Sequence, residues 1–345
     1  MLRPPVRLFV LVALGIAFRP AAAQVDSSAV LPDAAVADTT VAESDAYIES
    51  ARFEGMDAEP TVVPVSANWK RGEERIIEVI QGKRHFRDGE LLSADSSTMR
   101  YRVLVEDAKE DYYLVRWVPS AYESTRTFEE AMGAVDAALA NRLEEEGYLI
   151  RTDGWGEFVA LENAETVTAL ARSVLDAVVE SEAGPEDLEQ VRAFMKQLGG
   201  ADFAVQKMIE PITFYYFLHG YEWPTAPREY REELPLPAGS GTVVGQGTVK
   251  ATEVDEKAGT FRLTNRLVAH PESLREGIID VLALAGRPHD EIAREMEGIS
   301  FEMRDENVFV VDYFNGWVLS LERMRVVEAV GERREQYIVI HMLDE

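Results

Sequence analysis

Runs of residues that alternate apolar and polar with a period of two, closed by Asp-Gly and Asn-Gly dipeptides, constrain this chain more than any other feature. Ile77 and Val79 lead to Asp88-Gly89 and return through Leu91, and Met99, Tyr101, Val103 and Val105 then alternate with Arg100, Arg102 and Glu106. After a polar turn at 107–111, Tyr113, Val115 and Trp117 read as the opposing strand. Segments of this kind bury one face and wet the other, which predicts an antiparallel meander. The signal returns late in the chain, at 242–254 and 260–268, at Phe301 and Met303, and at 308–314, 317–327 and 336–343. Asn315-Gly316, set between apolar residues, is a strong hairpin signal.

Between these runs the period changes to that of a helix. Phe128, Ala131, Met132, Val135, Leu139 and Leu143 fall on one stripe, and Asn163 stands as a cap before the stripe of Val167, Leu170, Ala171, Val174, Leu175 and Val178. Pro185, Pro271 and Pro288 each stand where a helix accepts proline, at its first turn. Pro211 should kink or split the helix expected over 202–218. Strands, helices, strands, helices and strands, without regular βαβ alternation, predict an α+β fold of curved antiparallel sheets with helices packed on one face. The expected division is into two similar lobes, 66–225 and 226–345, with one continuous sheet shared by both as the alternative.

The first 65 residues read differently. Arg3 and Arg7 precede eleven apolar residues from Leu8 to Phe18, and Ala21-Ala22-Ala23 before Gln24 supplies a small-residue cleavage site, here Ala23/Gln24. Eleven residues in a helix span about 16 Å, against about 30 Å of hydrocarbon, so the segment is expected to be a cleaved signal peptide (1–23) and not a membrane anchor. Residues 24–65 hold nine acids and one base in a background of small residues, which predicts a disordered acidic linker. The expected localisation is outside the cytoplasm, periplasmic or extracellular at the cell surface, with no transmembrane span in the mature chain.

Charge and cysteine usage then exclude whole classes of function. The chain carries 62 acids against 35 bases, a net charge of −27. The leader accounts for +3 and the linker for −8, so residues 66–345 stand at −22. A nucleic-acid partner is excluded, because it needs a basic face. Without cysteine there is no disulfide, thiolate metal site or thiol chemistry.

Motifs for chemistry are lacking. His85, His219, His270, His289 and His341 are isolated in sequence, and no metal spacing, cofactor motif or serine elbow appears. No catalytic residue, metal ligand or cofactor is therefore assigned. Gly239, Gly241, Gly245 and Gly247 do not make a phosphate loop, since no helix follows them; glycines of an edge strand explain them better. The unusual stretch is 213–223, in which Phe214, Tyr215, Tyr216, Phe217, Tyr221 and Trp223 crowd together. Consecutive aromatics cannot share one face of a helix, so these six are the candidate ligand-binding residues, against the alternative of a helix buried on several sides.

Trp69-Lys70-Arg71-Gly72-Glu73, Gly156-Glu157-Phe158, Pro235-Leu236-Pro237 and the segment 312–317 resemble features of an uncharacterised family of exported bacterial proteins, a domain of unknown function. The resemblance implies an extracytoplasmic domain and no characterised enzyme family. The order of elements is also similar to that of periplasmic carriers of lipids and lipoproteins. The expected function is non-enzymatic binding of an apolar small molecule or an envelope protein. The alternatives are an envelope-polymer hydrolase using paired carboxylates and a structural envelope component.

Overall fold

The computed structural model describes residues 62–124, 143, 146–182, 200–235, 242–284 and 288–343. The leader, the linker up to residue 61, and most of the helices expected at 128–143 and 185–198 lie outside the described residues, whereas Val62–Val65, expected as the end of the disordered linker, form a strand paired with Tyr221–Pro224. In chain order the first elements are β1 (Val62–Val65), β2 (Glu74–Arg87), β3 (Glu90–Ala108), β4 (Tyr112–Ser124), β5 (Tyr148–Asp153) and β6 (Phe158–Leu161). Helices α1 (Ala164–Glu182) and α2 (Gly200–Tyr215) precede β7 (Tyr221–Pro224), β8 (Arg228–Pro235), β9 (Thr242–Asp255) and β10 (Thr260–Ala269). Helices α3 (Pro271–Leu284) and α4 (His289–Glu295) lead into β11 (Phe301–Asp312), β12 (Trp317–Ala329) and β13 (Glu332–Leu343).

The fold departs from the expected α+β arrangement of sheets with helices packed over one face. Thirteen strands stand against four helices among the described residues, and eleven of the strands form one antiparallel sheet in the order β6-β5-β4-β3-β2-β13-β12-β11-β10-β9-β8. The described residues are mostly β. The reason lies at the end of the chain: β13 inserts beside β2, pairing Ile340 with Val79 and Glu332 with Arg87, so that the early and late meanders fuse edge to edge. The strands are also longer than their alternation suggests, since β3 runs unbroken through 19 residues. The boundary expected near residue 225 falls between β7 and β8, and β2–β6 and β8–β13 belong to the same sheet.

Local chemistry accounts for the corners. Asp88 and Gly89 take φ of 50° and 86°, the paired positive angles of a two-residue hairpin turn. Gly245 and Gly247 lie in β9, flanked by β8 and β10 and thus not at an edge. A Cβ on Gly247 would stand 2.2 Å from the Tyr230 ring, so glycine here makes room for a tyrosine lying across the strand. Asn163 does not cap α1 through its side chain. Its Oδ1 accepts from Leu149 N at 3.0 Å and its Nδ2 donates to Gly147 O at 2.9 Å, tying the helix entry to β5 instead. Helix α2 runs through Pro211 without splitting. Its buried Val205, Ile209 and Ile212 recur at helical spacing, with Tyr216 continuing the series in the turn after it, and fix it to the core.

Two apolar clusters flank the middle of the sheet's inner face. The larger packs α2 and the start of α1 on β2–β5 and on Leu263, Phe309 and Leu321, while the smaller packs Leu274, Ile278 and Ile292 of α3 and α4 on Leu267, Met303 and Val327. Trp69, buried in the segment before β2, centres the aromatic end of the larger cluster. Its ring lies 5.1 Å from Tyr113, 5.3 Å from His219 and 5.0 Å from Trp317. That segment threads between two turns, with Ala67 N donating to Trp155 O at 2.7 Å and Asn68 N to Asn315 O at 3.1 Å.

Candidate functional site

The structure divides the six aromatic candidates by depth. Tyr215 and Tyr216 are fully buried. The Tyr215 hydroxyl donates to Val318 O at 3.2 Å, and Tyr216 accepts from Trp117 Nε1 at 2.8 Å. Burial raises both phenols far above their ordinary range, so they are neutral core groups. Phe214, Phe217 and Trp223 are only partly buried against the core. Phe214 and Phe217 stack at 5.6 Å between centroids, and Phe309 of β11 supports both, at 5.6 and 6.3 Å. Trp223 extends the surface 6.0 Å from Phe217 and anchors its indole N–H on Leu218 O at 3.0 Å. Tyr221 follows at 5.9 Å, its hydroxyl donating to Glu157 Oε1 at 3.1 Å. Tandem aromatics on one helix turn thus send two rings into the core and two onto a half-open surface.

Beside that surface lies a row of buried polar groups. Strands β10, β11 and β12 each begin and end their inward-facing residues with apolar side chains and place polar ones between them. Asn265 lies between Leu263 and Leu267, Asp305 and Asn307 between Met303 and Phe309, and Arg323 and Arg325 between Leu321 and Val327. The register aligns them: Asn265 faces Asn307, Asn307 faces Arg323, and Asp305 faces Arg325. Arg325 grips both oxygens of Asp305. Tyr230 of β8 donates to Asn265 Oδ1 at 2.7 Å, and Glu232 follows Tyr230 by two residues on the same side of the strand.

Helix α2 closes the row from above. Glu210 and Phe214, four residues apart and so on one helix face, both engage Arg323. Glu210 Oε1 accepts from its guanidinium at 3.1 Å, and the Phe214 ring lies 4.6 Å beneath its charge. The charges stay fixed in the interior. Burial alone would raise the Asp305 carboxyl, but the charge and hydrogen bonds of Arg325, with Arg323, hold it below its ordinary value. Burial would likewise lower Arg325, and Asp305 raises it. Glu232 goes the other way: burial and then the Asp305 charge push its carboxyl up.

The aromatic stretch is conspicuous in the sequence, and the charged row is not. A signal was there. Asp305 and Asn307 share the parity of Phe301, Met303, Phe309 and Val311, and Arg323 and Arg325 share that of Leu321 and Val327. A polar residue in register with a buried apolar series marks an inward-facing polar group. His219 also has a larger role than ending a helix. It is buried beside Trp69, with Nε2 at 2.6 Å from Gly316 O and Nδ1 at 3.2 Å from Tyr216 O, and burial lowers its pKa.

No family model matches the chain and no curated protein matches it. Among solved structures the chain is similar to lipovitellin, in a structure described for its lipid–protein interactions. The TM-score is 0.40 and the identity 6%, over 80% of this chain and 26% of that one. It is also similar to a porin-like protein from Bacteroides uniformis, with a TM-score of 0.16 and 9% identity over 81% of this chain and 100% of that one. At these scores neither likeness bears on function. No helix among the described residues is long and apolar enough to cross a membrane.

Proposed function

We propose that this is an exported, non-enzymatic binding protein that holds an apolar ligand on the inner face of its sheet, against Phe214 and Phe217. One observation carries the reading. Four aromatic residues follow one another in α2 and the turn after it, and the fold buries Tyr215 and Tyr216 completely while leaving Phe214 and Phe217 stacked and half open on Phe309. A core needs its rings covered, whereas a binding wall needs them reachable from one side.

The test is native mass spectrometry of the protein isolated from its own envelope. A co-purifying apolar molecule is expected, and it should be lost when Phe214→Ala and Phe217→Ala are combined. A bare chain mass, together with no uptake of a fluorescent alkyl probe by the purified protein, would overturn the reading. Export is tested on the same sample, whose first residue should be Gln24.

Opposed shifts at Glu232 and Asp305 favour a second reading, a carboxylate-dependent hydrolase, because acid–base pairs are built that way. Binding is preferred because Arg325 occupies both Asp305 oxygens and leaves that carboxylate committed to an ion pair.

A further inference from the structure

The two ends of the eleven-stranded sheet differ. At one end β6 is four residues long, and a strand that short offers little backbone to a second chain. At the other end β8 is eight residues long, and among the described residues it pairs with β9 alone. Its far side carries a row of backbone N–H and C=O groups that no described strand takes up. The middle of β8 is held in place. The Tyr230 ring lies over Gly247, whose missing Cβ leaves the room for it, and its hydroxyl donates to Asn265 Oδ1 at 2.7 Å. An edge already fixed in an extended conformation loses little further freedom when a strand is added to it.

Charge decides what such an edge accepts. In the run Arg228-Glu229-Tyr230-Arg231-Glu232-Glu233, Glu229, Arg231 and Glu233 are exposed on the outer face, and the residues between them point to the inner one. Residues opposite each other in an antiparallel pair point to the same side, and a two-fold axis that continues the sheet keeps outer face beside outer face. Such an axis must set one residue against its own copy, because a slip by one residue would place inner side chains against outer ones. A centre on Arg228, Glu229, Arg231, Glu232 or Glu233 opposes a charge to itself. A centre on Leu234 pairs only the end of the strand, beside Pro235, which has no N–H to give.

A centre on Tyr230 does the reverse. Glu229 of each copy then faces Arg231 of the other, and Arg228 of each faces Glu232 of the other, so opposite charges meet on both faces. Charged edge residues normally repel a neighbouring strand, and here they leave one register open. We infer that β8 is the interface of a symmetric dimer, in which two copies join edge to edge through antiparallel β8 strands centred on Tyr230. An interface of one short strand per copy belongs with the small and reversible ones.

The test is sedimentation of the full chain at concentrations up to about 100 µM, where a monomer–dimer equilibrium is expected. Arg231→Glu sets Glu against Glu at two pairs and should weaken the dimer about tenfold. Glu229→Arg combined with Arg231→Glu exchanges the charges, restores both pairs and should return association to within about threefold of the parent. Both positions are exposed, and circular dichroism shows that the variants are folded. The register is read by cross-linking, since the chain has no cysteine of its own. Glu229→Cys mixed with Arg231→Cys should form a disulfide-linked pair on mild oxidation far faster than either variant alone, whose cysteines lie diagonally and out of bonding reach. A monomer at every concentration would overturn the inference, as would a dimer that folded Arg231→Glu leaves unchanged or that the charge exchange fails to restore. Cross-linking no faster in the mixture than in the single variants would overturn the register centred on Tyr230, and this measurement decides if a charge variant is unfolded.

Discussion

The two faces of the sheet use the same arginine–carboxylate pairing at opposite depths. On the outer face Arg266 lies across from Glu306 at 3.7 Å, with side-chain exposures of 63% and 40%. On the inner face Arg325 grips Asp305 with exposures of 6% and 9%. In water a solvated arginine–carboxylate pair gains little, because screening and side-chain entropy cancel most of the attraction. Inside, each partner depends on the other, since removing one leaves a charge with neither water nor counter-ion. Outer pairs of this kind, Arg102 with Glu74 and Arg151 with Glu162 among them, are solvated and can be exchanged at little cost. The inner pairs cannot be altered singly.

The largest expected effect breaks this contrast from the inside. Asp305→Leu strands the Arg325 guanidinium and should lower folding stability by about 3–5 kcal/mol in chemical denaturation. A loss below 1 kcal/mol would mean that Arg325 is not confined as described. A smaller effect separates two kinds of buried ionisable group on the inner face. Asp305 is held charged by arginine, whereas burial lowers the His219 pKa from the ordinary 6.5 against the opposing pull of the Gly316 and Tyr216 carbonyls. The unfolded chain then binds the histidine proton more readily, so stability should be level above about pH 6.5 and fall as the solution is acidified below it. His219→Gln keeps a donor for Gly316 O and should flatten that fall between pH 6.5 and 5; an unchanged slope would assign it to other groups. The smallest effect lies on the outer face, where Arg266→Ala should change stability by less than about 1 kcal/mol. A larger loss would remove the distinction between the faces.

The strands and turns were legible in the sequence because their signals are local. Asp88-Gly89 and the alternation from Met99 to Val105 specify a turn and a wet-faced strand whatever lies beside them. The partner of a strand is not a local property. Alternating runs in 74–87 and 332–343 look alike whether they close two sheets or join one, and the pairing of Ile340 with Val79 decides it across more than 250 residues of chain. The aromatic stretch was legible for the opposite reason, since four rings in a row are conspicuous. Which of them face the core depends on where Phe309 and Trp117 arrive from distant strands. The charged row stayed hidden because Asp305 and Arg325 look in sequence like two of many surface charges; their parity with Met303 and Val327 is the sign that they are not.

One double substitution tests most directly whether the inner pair is kept only by the mutual dependence of its partners and adds nothing to stability. Asp305→Leu combined with Arg325→Met removes the pair and fills its volume. The predicted result is stability equal to the parent, or up to about 4 kcal/mol greater. A double variant as unstable as Asp305→Leu alone would contradict it.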